Sequence, residues 1–100
     1  MILHTVNQSP SQNQTLQSCL RLMKPGSTLL LIENGVHGAM ADSTASAEVL
    51  AALDKVSIYA LEPDLKARGL LNKLLPGIQL ADYDTFVDLV ESHSTIQNWI

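Results

Sequence analysis

Four consecutive large aliphatic residues, Leu29 to Ile32, stand between two glycines, Gly26 and Gly35. With Thr28 they make a run too short for a typical helix, lacking polar alternation, which is the pattern of a strand buried on both faces. Such a strand belongs inside a parallel sheet with helices above and below. The run also falls far short of the roughly 20 apolar residues needed to cross a bilayer.

The flanking segments fit that centre. Ile2, Leu3, Thr5 and Val6 are β-prone and stop in the polar stretch from Asn7 to Asn13, where Ser9 and Pro10 break any ladder. Leu16, Cys19, Leu20 and Met23 then recur at i, i+3, i+4 and i+7, the spacing of an apolar helical stripe, which Pro25 and Gly26 end. After the central strand, residues 33 to 41 predict a loop or short helix, residues 46 to 53 a helix and residues 55 to 61 a strand. A short helix near Pro63 to Ala67, another over Leu71 to Leu75 and a strand over Ile78 to Ala81 follow. Asp82 is placed to cap a last helix with Phe86, Val87, Leu89 and Val90 on its apolar face. Residues 94 to 100 read as a tail tied down by Ile96, Trp99 and Ile100.

Strands alternating with helices over short connections predict βαβ units. The expected fold is a small Rossmann-like or flavodoxin-like three-layer α/β domain with a mostly parallel sheet. One hundred residues without a repeat or a composition shift predict one domain over residues 1 to 100.

No GxGxxG or GxxxxGKS stretch is present, so no dinucleotide or ATP cofactor is expected. His4, His37 and His93 lie far apart beside one cysteine, with no ligand spacing such as HxxxH or CxxC, and no metal site is expected. A formal charge of -4 disfavours direct nucleic-acid binding, with only Lys66, Arg68 and Lys73 approaching a basic cluster. That segment is a candidate contact for an acidic partner. The N-terminus shows no signal-peptide pattern, and a lone unpaired thiol suits a reducing compartment, so the cytoplasm is the expected location.

The residues open to chemistry are few. Cys19 is the candidate nucleophile or sulfur carrier, since a thiolate can accept sulfane sulfur as a persulfide; the competing reading is a buried, inert thiol on a helical stripe. His37 follows the central strand and, with Asn34 and Gly35, marks the crevice at the strand's carboxyl end where open α/β sheets bind ligands. His4 is expected to pack or bond locally, and His93 to sit at a helix C-terminus where a cation suits the dipole. Asp82, Asp84 and Asp88 are explained by capping and dipole complementarity.

The opening ILHTVNQSP, the segments LLLIENGVHGAM and YALEPDLKARGL, and the closing DYDTFVDLVESHSTIQNWI together resemble the DsrH/TusB family over essentially the whole chain. That resemblance implies a subunit of a sulfur-relay complex, a two-fold heterohexamer with DsrE/TusD-like and DsrF/TusC-like partners, served by a small carrier protein of the TusA type. It implies persulfide sulfur passing towards tRNA wobble-uridine 2-thiolation or, in the related branch, dissimilatory sulfur oxidation. QSCL, with Cys19, resembles the first-helix cysteine of the sulfur-oxidising branch. Two other readings stay open: an independent sulfurtransferase using Cys19, and a homo-oligomeric small-ligand binder.

Overall fold

The computed structural model describes residues 2 to 99. Five strands form one sheet: β1 (Ile2–Val6), β2 (Thr28–Leu31), β3 (Ser57–Leu61), β4 (Gln79–Ala81) and β5 (Thr95–Trp99). Their order is β4-β3-β2-β1-β5, and every neighbouring pair is parallel. Four helices connect them: α1 (Thr15–Leu22), α2 (Ser46–Ala52), α3 (Glu62–Ala67) and α4 (Tyr83–Ser92), with 3-10 segments at Glu33–Ala39 and Leu71–Lys73.

The central strand is β2, buried at all four positions. Its alternating side chains feed two cores. Leu29 and Leu31 pack with Leu16, Cys19, Val49 and Leu65 from α1, α2 and α3. Leu30 points the other way, with Leu3, Leu61, Ala81 and Leu89 of α4. Three successive steps in one direction, from β1 to β4, thus place their helices on one face. The single return step to β5 places α4 on the other, as a uniform crossover hand requires. The three-layer, parallel α/β expectation holds.

The region read as a tail is a strand. Residues 95 to 99 pair with all of β1, from Ile2 with Thr95 to Val6 with Trp99. Its first four residues are exposed, so no apolar alternation announces it; pairing with β1 defines it. Thr5 Oγ1 adds a 2.6 Å bond to Asn98 Oδ1 across the pair. Ile96 is 41% exposed, Trp99 packs on the larger core, and Ile100 lies outside the described residues.

At the last helix the capping expectation holds: the Asp82 carboxylate accepts from Thr85 N at 2.8 Å. That bond, with the Thr85 side chain, holds the Asp82 carboxyl below its usual range. At the other end His93 is a staple. Its Nδ1 donates to the Leu89 carbonyl at 2.7 Å and its Nε2 pairs with the buried Thr28 hydroxyl at 3.0 Å, fastening α4 to the start of β2.

Candidate functional site

Because all five strands run the same way, the loops at their carboxyl ends gather at one end of the molecule, where α/β sheets of this kind take ligands. The chain leaves β2 through Glu33, the only described non-glycine residue with positive φ, at 51°. A side chain here sits in the left-handed region at some cost, and Glu33 N is held by a 2.6 Å bond to Asp64 Oδ2. The turn then passes so close to β1 that a Cβ on Gly35 would collide with the Val6 carbonyl. Only glycine fits there.

Beyond that approach the 3-10 segment carries His37 to a crevice of about 250 Å³. Ser9 and Ser11 line it from the loop after β1, Ser43 and Thr44 from the loop before α2, and Lys73 from the second 3-10 segment. The hydroxyls already have work: Ser9 Oγ lies 2.9 Å from Ser11 Oγ and accepts from Ser11 N, while Ser43 Oγ accepts from Ala45 N. Two loops that form the walls are laced together, since Ala41 N donates to Lys73 O at 3.0 Å and Leu75 N to Ala39 O at 2.9 Å. Pro10, Met40 and Leu70 complete the lining with Asp42, so the crevice is a recess of mixed polar and apolar character whose walls are held by backbone bonds.

Asn34 and Gly35, expected in this crevice, do not line it. Asn34 Oδ1 accepts from Arg68 Nε at 3.1 Å, and the same guanidinium donates to Asp64 O at 3.1 Å, joining the 3-10 segment to α3. This spends Arg68 locally, so Lys66, Arg68 and Lys73 do not act as one basic cluster: Arg68 faces Asn34, and Lys73 lines the recess. Sequence does not assign Ser9, Ser43, Thr44 or Lys73 to this crevice, because three segments far apart in the chain converge here.

Cys19 sits elsewhere. It is fully buried on the inner side of α1, among Leu16, Leu29, Val49 and other core residues. Loss of hydration disfavours the thiolate and pushes the thiol up to about 12. Among the described residues nothing hydrogen-bonds to its sulfur, and the thiol at rest is protonated and enclosed. His4 is likewise buried, its Nδ1 accepting from Trp99 Nε1 at 3.0 Å across the β1–β5 pair. That partner is 95 residues away, not the local one expected. No group of three or more His, Cys, Asp or Glu side chains suited to a metal occurs among the described residues, and none of their helices is long and apolar enough to cross a membrane.

An all-parallel sheet with helices on both faces, one buried thiol and a small recess at the strands' carboxyl ends defines a three-layer α/β domain. The comparisons make it particular. The family model described as "DsrH like protein" matches residues 8 to 96. Protein TusB of Serratia proteamaculans is 38% identical over 98 residues, 98% of this chain and all of that one. Protein TusB of Escherichia coli K12 is 37% identical over the same shares. The chain belongs to the DsrH/TusB family. Among solved structures, the ychN protein of E. coli superposes with a TM-score of 0.80 at 16% identity, covering 98% of this chain and 97% of that one, a likeness of fold.

Proposed function

We propose that this chain is a subunit of a cytoplasmic sulfur-relay complex and that it shapes the assembly more than it handles sulfur. The carrying observation is the burial of its only thiol. Cys19 is enclosed with its pKa near 12, whereas a relay thiol works as an exposed thiolate. Family membership supplies the sulfur context. The partners on this reading are TusD-like and TusC-like subunits in a heterohexamer, fed by a TusA-type carrier, with sulfur passing to tRNA 2-thiolation or to sulfur oxidation.

Transfer to Cys19, where it occurs, needs an opening of α1. The Cys19 thiolate would attack the terminal sulfur of the carrier's persulfide, the S–S bond would break, and the carrier's thiolate would leave, with no net oxidation. The test is intact-mass analysis of the chain after exposure to a persulfidated carrier, with and without the two partner subunits. Labelling confined to a partner supports the scaffold reading. A gain of about 32 Da on Cys19 at a partner's rate, without the partners, would replace it with an independent sulfurtransferase. Cys19→Ser separates the two again, because only the sulfurtransferase loses sulfur transfer.

The recess around His37 favours a second, small-ligand reading by its preformed shape. A ligand-dependent rise in melting temperature, lost in His37→Ala, is its signature.

A further inference from the structure

The charge of this chain is concentrated on one element. All six basic residues lie before residue 74, among six of the ten acidic ones; the other four acids, Asp82, Asp84, Asp88 and Glu91, follow with no lysine or arginine. The formal charge of -4 is therefore that of α4 and its cap. Among the described residues α4 is the one helix on its face of the sheet. Asp82 is occupied as the cap, but Asp84, Asp88 and Glu91 follow one another at i+4 and i+3, where like charges repel. Among the described residues the one ion pair is Arg68 with Asp64, on the opposite face.

The same helix leaves apolar surface in water. Tyr83 is 62% exposed and Val87, one turn on, 50%. Ile96 of β5, 41% exposed, pairs with Leu3 and so points to the same side of the sheet. Exposed aromatic and aliphatic side chains flanked by uncompensated carboxylates describe half of an interface whose other half carries the positive charge.

We propose that the outer face of α4 docks a partner protein that presents an apolar centre rimmed by lysine or arginine; this rests on the reading of the chain as a subunit of a heteromeric complex. A second copy of this chain is the wrong occupant, since a two-fold contact through α4 would set the same carboxylates against each other. Nucleic acid is repelled by the same charges.

The test uses the full chain co-expressed with its TusC-like and TusD-like partners, measuring assembly at low and high salt and amide exchange over residues 83 to 92. The variant is Asp84→Asn with Asp88→Asn; the control, Asp54→Asn with Glu62→Gln, removes as much charge from the α2–α3 side. The α4 variant is expected to weaken assembly about tenfold or more at low salt with a flatter salt dependence, the control to assemble normally, and α4 amides to be protected in the parent complex. Equal assembly by both variants, with α4 exchanging alike in the free and bound chain, overturns the docking face and leaves the subunit reading standing. Self-association of the free parent chain that Val87→Asp abolishes overturns it in favour of a second copy. A parent chain that joins neither partner overturns both readings.

Discussion

Trp99 on β5 donates its indole N–H to Nδ1 of His4 on β1, 3.0 Å away, with the two rings tilted at 38°. Nδ1 must then carry a lone pair, so the bond holds the imidazole neutral, with its proton on Nε2. The register neighbours of His4, Leu29 and Gln97, offer no charge to favour protonation, and burial lowers the His4 pKa. The edge strand is thus fastened by a bond that acid breaks.

Stability should therefore depend on pH with a definite sign. With the folded pKa depressed below 6.5, the stabilisation is fully present above that pH and is lost as pH falls towards the lowered value, because the unfolded chain takes up the proton first. Urea midpoints at pH 8, 6 and 5 should fall in that order. Trp99, the sole tryptophan, should shift to longer emission wavelength as β5 loosens. Trp99→Phe should cost about 1 kcal/mol at pH 8 and show a smaller decline to pH 5.

Cys19 gives the opposite sign. Its folded pKa near 12 lies above the ordinary 9.0, so its contribution is complete below pH 9 and is lost as pH rises towards 12. Cys19→Ala should flatten that alkaline decline. Cys19→Ser should cost about 1–3 kcal/mol by burying a hydroxyl without a partner. Ellman's reagent should react with the native thiol at the rate of local opening and rapidly in denaturant.

Gly35→Ala tests the close approach of two backbones. The added methyl meets the Val6 carbonyl, which already accepts from Ile32 N at 3.0 Å. Backbone cannot rotate away as a side chain does, so a loss of about 3 kcal/mol or more is expected. Equilibrium unfolding of the soluble fraction reads it. An alanine variant of parental stability would contradict the packing described.

Asp82→Ala removes the one side-chain cap of α4 and should lower both the melting midpoint and the helical circular dichroism signal. Asp82→Asn retains an accepting oxygen and should recover most of the loss. Because the Asp82 pKa is held down in the folded chain, this contribution is present at neutral pH and disappears as pH falls through the carboxylate range.

Much of the fold was legible because its cues are local. The aliphatic run at Leu29 to Ile32 marked the central strand, the spacing of Leu16, Cys19, Leu20 and Met23 marked α1, and Asp82 marked the start of α4. β5 was not legible, because four of its five residues face solvent and its identity comes from a strand more than 90 residues earlier. His37 was placed in a crevice correctly. Its companions were not, because Ser9, Ser43 and Lys73 meet only after three loops have been brought to one end of the sheet. Apolar periodicity kept burial of Cys19 as one of two readings; only the packed neighbours decide where the sulfur lies.

The placement of β1 between β2 and β5 also has a kinetic meaning. Its first neighbour comes from the next βα unit, but its second must return across a separation of 93 residues, as Thr5 and Asn98 do. Contacts that distant form late and slowly. Until they form, one side of β1 is a bare backbone edge, the kind of template on which chains pair wrongly. A chaperone or a partner subunit that shields this edge during folding would raise the yield of native chain without touching the final stability.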